Sequence, residues 1–272
     1  MIPKVIHYCW FGGKQLPELA QKCKESWKKF CPEYEIKEWN ETNFDLDCCD
    51  YVKEAYKAKM WAFVSDYARL KILYEFGGLY FDTDVELIRP IDDIVQNGPF
   101  MGREAYGLLK NKTSVAPGLG MAVNPGLGMY KRMLQIYESS HFILEDGTYN
   151  KKTIVEIATV LLEKDGLKNE NALQYIDGVY IYPVDFFSPM EVDTGKVTIT
   201  KNTRSIHHYS GSWCSKENLY QTQLTRTMLK KYPKVPNVIL LNIAKFKTDM
   251  KFKGIAVAIC ELEKKILSKV KR

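Results

Sequence analysis

An α/β fold is predicted by three observations. The N-terminal stretch runs strand, amphipathic helix, alternating strand. A long apolar-faced helix ends at Gly77-Gly78 and leads directly into a short strand. Apolar residues make up 46% of the 272, enough to bury a substantial core.

Taken in order, Lys4 to Trp10 reads as a buried strand stopped at Gly12-Gly13. Over 16–30, Leu16, Leu19, Cys23, Trp27 and Phe30 share roughly one helical face, and Pro32 ends that helix. Tyr34 to Trp39 alternates as a second strand. A single helix is predicted from about Ala55 to Phe76, with Met60, Phe63, Val64, Tyr67 and Ala68 toward the core. Leu79-Tyr80-Phe81 and Val85 to Ile88 are short strands, and Pro90 opens a turn or helix. Beyond them come a strand at 118–123, helices at 127–139 and 152–164, strands at 179–182 and 205–209, and a helix at 216–231. No repeat, low-complexity tract or linker interrupts the pattern, so one domain over 1–244 followed by a tail over 245–272 is expected.

Charge marks that tail. Lysine and arginine exceed aspartate and glutamate by 39 to 33, and the whole excess of six lies in 245–272. Ile255, Ile259, Leu262, Ile266 and Val270 fall on one helical stripe there, with Lys264, Lys271 and Arg272 on other faces. Two readings follow: a basic amphipathic helix lying on an anionic membrane surface, or a terminal helix docked on the domain's own core. No nucleic-acid partner is expected from so modest a net charge. No apolar run approaches the roughly 20 residues that span a bilayer. The opening Met1 to His7 lacks a signal peptide's pattern, and seven scattered cysteines lack paired metal spacing. A cytoplasmic location is expected, peripheral at the inner face of the membrane if the tail binds lipid.

The chemistry concentrates in Gly77-Gly78-Leu79-Tyr80-Phe81-Asp82-Thr83-Asp84. Two carboxylates one residue apart, just past a strand end, can approach one divalent cation. Hard cations such as Mn2+ and Mg2+ take oxygen ligands and share them with substrate phosphates. One turn before the glycines, Asp66 and Arg69 stand at i, i+3. As a pair on a solvated face they would be worth only tenths of a kcal/mol. In a site, Asp66 accepts bonds from sugar hydroxyls and Arg69 offers a fixed fork to oxygens. Half of the four histidines are adjacent in His207-His208-Tyr209-Ser210-Gly211-Ser212-Trp213, where one imidazole could join Asp82 and Asp84 at the cation. Trp10, at the carboxyl end of the first strand, sits where α/β sheets bind ligands.

Together these stretches resemble the family 32 glycosyltransferases, the group of bacterial capsular-polysaccharide and yeast mannosyltransferase-like enzymes with a DXD sugar-binding region. Ile6 to Gly13, Ala62 to Asp84 and His208 to Trp213 carry the likeness over roughly residues 2–215. It is similar, more distantly, to the glucosylating domains of large clostridial toxins. The resemblance implies a GT-A type fold with a mixed central sheet flanked by helices, a nucleotide-sugar donor, and Mn2+ or Mg2+ as cofactor. On that likeness Trp10 stacks the donor's base, and Asp66 and Arg69 hold the donor sugar. Tyr80 meets the ribose or diphosphate. Asp82, Asp84 and His208 hold the metal, with Asp82 also on the donor, and Ser212 and Trp213 reach the leaving phosphate. Asp82, Asp84, Arg69 and Asp66 are the catalytic set. The segment Gly118 to Pro125 departs from the family's usual central motif.

The activity implied is retaining transfer of a hexose to a glycan or lipid-linked oligosaccharide in capsular or surface polysaccharide synthesis, with UDP-sugars favoured over GDP-sugars. Two other classes share the Asp-x-Asp signal. A haloacid-dehalogenase-like phosphatase would use Asp82 as nucleophile and Asp84 as acid, although Val85-Glu86 replaces the small turn which that chemistry favours. A non-catalytic glycan- or nucleotide-sugar-binding protein is the third. Acceptor contacts are expected from the loops at 103–117 and 185–204.

Overall fold

The computed structural model describes residues 1–105, 113–211 and 214–270, with the side chains of 262 and 265–270 left aside. The chain divides into two compact units, one formed mainly by residues 1–190 and 197–210 and the other by 191–196 and 211–272.

The larger unit begins with β1 (Val5–Cys9), α1 (Glu18–Phe30) and β2 (Glu35–Trp39), the predicted strand–helix–strand. Next come α2 (Asp50–Lys57), α3 (Trp61–Phe76), β3 (Gly78–Tyr80), β4 (Val85–Leu87), α4 (Asp92–Gln96) and β5 (Phe100–Ala105). After β6 (Thr113–Val115), a 3-10 turn (Pro117–Leu119) and β7 (Met121–Val123) lie α5 (Gly128–Glu138) and α6 (Ile154–Lys164). β8 (Gln174–Ile176), β9 (Val179–Tyr182), α7 (Val184–Phe187) and β10 (Ser205–His207) complete the unit. The main sheet runs β2-β1-β3-β7-β5-β9-β8, with β6 paired to β5. β1 is parallel to β2 and β3, β5 is parallel to β9, and β7 is antiparallel to both its neighbours. This is the mixed, helix-flanked α/β sheet expected, consistent with a GT-A-like fold.

Period-two alternation builds a core on each face of the sheet. Ile6, Tyr8, Leu79, Phe81, Phe100 and Ala122 pack on the face covered by Trp27 of α1 and Phe187 of α7. Cys9, Tyr80, Met101, Met121 and Val123 pack on the opposite face with α2, α3, α5 and α6. Tyr80 is thereby committed to the α3 side. The carboxyl ends of the parallel β1 and β3 point the same way, which puts Trp10 and Asp82 at one end of the sheet. Gly78 is required where these strands meet: its φ is +95°, and a Cβ there would stand 2.7 Å from the Val5 carbonyl.

The single helix expected over 55–76 is two helices. Lys59 adopts φ +58°. Its N–H reaches the Tyr56 carbonyl at 2.9 Å, and the Met60 N–H reaches Ala55 at 2.9 Å. That pair of bonds is a Schellman C-cap, and with lysine in the place usually taken by glycine the stop is invisible to residue type. The strand expected over 118–123 begins only at Met121, because Pro117 and Gly118 form a turn.

The smaller unit holds α8 (Lys216–Lys231), α9 (Asn237–Lys253) and α10 (Ile255–Val270), with Gly254 at φ +88° between the last two. Among the described residues its core is slight: Met228, Leu240 and Ala244 are buried, packed by Leu224, Leu229 and Val235, and Ala258 is buried as well. Among the described residues no helix is long and apolar enough to cross a membrane.

Candidate active site

α3 is buried nearly all round, so its polar residues had to find partners inside the protein. Asp66 is 8% exposed and Arg69 5%, which replaces the solvated pair of the bland sequence reading with a buried one. The Arg69 fork reaches Asp82 through Nη2 at 3.1 Å and Nη1 at 3.4 Å. Nη2 also meets Asp66 at 3.2 Å, and Nε donates to the Ser65 carbonyl at 3.1 Å. The guanidinium lies 4.8 Å from the centre of the Tyr80 ring, and the Tyr80 hydroxyl donates to Asp82 at 3.2 Å. The other Asp66 oxygen accepts from the Ile154 N–H at 3.1 Å, tying α3 to the first turn of α6. Burial pushes the Asp66 carboxyl up to about 6 against the pull of Arg69 and this N–H. Burial likewise raises Asp82, opposed by Arg69 and reinforced by the charge on Asp84.

Asp84 lives in different surroundings. β4 pairs antiparallel with β10, setting His207 opposite Val85, and the Asp84 carbonyl accepts from the His208 N–H at 3.0 Å. His207 Nε2 then meets Asp84 Oδ1 at 3.0 Å, and the Ser210 N–H donates to Oδ2 at 2.8 Å. Burial opposes ionisation of Asp84, but the charge and hydrogen bond of His207 outweigh it and hold the carboxyl well below its usual range. Burial also works against charge on His207, and the Asp84 carboxylate overrides it, lifting the imidazole to about 9. His208 turns elsewhere: its Nε2 meets Glu86 at 2.8 Å. Of the adjacent pair, the structure brings His207 to Asp84 and His208 to Glu86.

Trp10 stands half-buried at the end of β1, its indole N–H donating to the Lys14 carbonyl at 2.5 Å. Ser212 and Trp213 lie outside the described residues, as do residues 106–112 of the first of the two expected acceptor loops, 103–117 and 185–204. Two neighbours of the site lie in segments the sequence marked, 103–117 and 118–125, without being singled out there. Glu104, at the end of β5, is 8% exposed, and its carboxylate accepts from the Tyr209 hydroxyl at 3.2 Å. Burial raises its carboxyl, with the charges of His207 and Asp82 close enough to count. Gly118 accepts the Asp82 N–H at 2.9 Å, and a Cβ on it would fall 1.9 Å from Asp82 Oδ2. Neither has a local signature: one is a lone glutamate, the other a glycine with no neighbouring motif.

The donor set at Asp82 and Asp84 is hard oxygen, the type that Mn2+ and Mg2+ take, and two carboxylates leave the other positions to substrate phosphates. Among the described residues no group of three or more His, Cys, Asp or Glu side chains is arranged to hold a metal ion. The set expected from Asp82, Asp84 and His208 is therefore not gathered here, since His208 is engaged by Glu86, and what remains in keeping with such a cation is the oxygen chemistry of the two carboxylates.

Residues 17–101, which include Asp66, Arg69, Tyr80, Asp82 and Asp84, match the family described as a glycosyltransferase sugar-binding region containing a DXD motif. The chain is 27% identical over 126 residues to inositol phosphoceramide mannosyltransferase 3 of Schizosaccharomyces pombe, an overlap of 43% of this chain and 34% of that protein. It thus spans about a third of that relative's length. It is 29% identical over 201 residues to an uncharacterized glycosyltransferase of Acanthamoeba polyphaga mimivirus, covering 69% of this chain and 76% of that one. Among solved structures, the PaToxG glycosyltransferase overlaps 61% of this chain and 70% of its own at 18% identity and a TM-score of 0.47. The chain carries a glycosyltransferase domain with a DXD-type motif, broadly related to known glycosyltransferase enzymes.

Proposed function

We propose that the chain transfers a hexose from a nucleoside-diphosphate sugar, a UDP-hexose first, to a hydroxyl of a glycan or lipid-linked oligosaccharide. The observation that carries this is the buried Arg69 fork held between Asp66 and Asp82 inside the matched sugar-binding region. A cation that cannot lose its charge, fixed beside two carboxylates at the carboxyl end of a sheet, suits a substrate that is sugar at one end and diphosphate at the other. We place the chain with the family 32 enzymes and with capsular or surface polysaccharide synthesis in a bacterium, on the cytoplasmic side of the membrane.

In this reading Trp10 offers its ring to the nucleobase, Asp66 accepts from sugar hydroxyls with the lone pairs that Arg69 and Ile154 leave open, and Arg69 steadies developing negative charge. Tyr80 orients Asp82 through its hydroxyl. Asp82 and Asp84 would hold Mn2+ or Mg2+, which supplies positive charge to a departing diphosphate. His208 joins that set if it gives up Glu86. The bond from the anomeric carbon to the diphosphate breaks as the acceptor oxygen bonds on the same face, and the acceptor's proton passes to the departing phosphate oxygen. That route retains configuration and leaves Asp82, engaged by Arg69 and Tyr80, out of any covalent step.

The test is nucleoside diphosphate release from a panel of UDP- and GDP-sugars, with Mn2+ and with chelator. Metal-dependent release from one donor is expected. No release and no calorimetric binding of any donor, or phosphate release from a generic phosphomonoester, would overturn the reading.

A further inference from the structure

Residues 211–272 hold fourteen lysines and arginines against four acidic residues, while residues 1–210 sum to a net −4. This basic segment also shows its apolar residues instead of hiding them. On α9, Leu240, Ala244 and Thr248 recur at steps of four and are buried. Ile239, Ile243 and Met250 lie on a separate stripe and are 46%, 38% and 41% exposed. On α10, Ala258 is buried, whereas Ile255 and Ile259, one turn apart, are 62% and 45% exposed. A helix that used this stripe to pack within its own unit would turn those isoleucines inward. The structure turns them out, with Lys247 and Lys251 exposed on the neighbouring helix.

We infer that this unit docks on an anionic lipid surface, with Ile239, Ile243, Met250, Ile255 and Ile259 entering the headgroup region and the lysines facing lipid phosphates. Three features select this occupant. An exposed apolar stripe beside strong positive charge is what binds an interface without spanning it. A second copy docking through the same segment would bring like charge against like charge. On the stripe itself nucleic acid would meet isoleucine and methionine, which offer no plane for a base to stack upon, the exposed Phe252 lying on another face of the helix. The inference rests on the charge and exposure of this unit and not on the donor chemistry.

The experiment is sedimentation of the full chain with phosphatidylcholine vesicles, with and without phosphatidylglycerol, at low and high salt. Pelleting is expected only with phosphatidylglycerol, and it should weaken as salt rises. Lys247→Gln should lower partitioning about fivefold. The combined Ile239→Ser, Ile243→Ser, Ile255→Ser and Ile259→Ser variant should stay in the supernatant while releasing nucleoside diphosphate from donor as the parent does. An intact chain that ignores phosphatidylglycerol at low salt would overturn the inference. So would pelleting that survives the four serines and is matched by retention on double-stranded DNA.

Discussion

The two units break the ordinary rule of burial in opposite directions. The larger unit hides charge: Asp66, Arg69, Asp84 and Glu104 are each less than 10% exposed. The smaller one shows oil, with eight apolar side chains between Val238 and Ile259 more than a third exposed and a core of only a few residues. Buried polar groups and exposed apolar faces are the informative departures, because each costs free energy that only partners offset. In the larger unit the partners are inside the protein, and every carboxylate near Arg69 is met by a fork, a hydroxyl or a backbone N–H. In the smaller unit the apolar stripe is left exposed, and the lipid docking inferred above would supply its partner. On that inference, chemistry and attachment are separated along the chain.

Asp84→Ala makes the sharpest test of that separation. It removes the carboxylate held by His207 and Ser210, and donor hydrolysis should fall at least about a hundredfold. Vesicle pelleting should be unchanged, and loss of both together would break the comparison.

Arg69→Lys comes next. A lysine cannot span Asp66, Asp82 and the Ser65 carbonyl at once, so kcat/KM for donor hydrolysis should drop tenfold or more, on the order expected for a lost bidentate contact. Thermal unfolding should show a lower Tm, since the buried carboxylates lose part of their compensation.

Gly118→Ala places a methyl where Asp82 Oδ2 now lies, so Asp82 must move off the Arg69 fork. Activity should decline by roughly tenfold, on the scale of small misplacements in a site, with circular dichroism unaltered.

A smaller effect is expected from pH. Asp66 accepts a proton at about 6 in the folded protein, above its ordinary value. In the proposed reaction its ionised form is the working one, so donor hydrolysis should fall as pH drops through 6. Stability should move the other way: a carboxyl raised by folding favours the fold when protonated, and that contribution is lost as pH rises from about 4 to about 6. Asp66→Asn should flatten this portion of the denaturation-midpoint profile. A midpoint that does not change with pH across that window would show Asp66 to be ionised throughout.

Least of all, Thr153→Ala removes the capping box that Thr153 and Glu156 form at the start of α6. It should cost about 1 kcal/mol in urea unfolding without changing donor release.

Sequence alone determined the strand–helix–strand entry, the Gly77-Gly78 punctuation, the order Asp66, Arg69, Tyr80, Asp82, Asp84 within the matched region, and the basic apolar-striped end. These are local patterns, set by steps of two, three or four residues and by the few residue types a turn or a cation tolerates. Tertiary structure decided which histidine faces Asp84, because antiparallel pairing of β10 with β4 joins residues 123 apart in the chain. It also decided that Glu104 and Gly118 border Asp82, that Lys59 splits a helix no glycine or proline marks, and that Ile255 and Ile259 face outward. Periodicity says which residues share a face. What that face meets depends on strand order and register, and those are settled only when distant segments pack together.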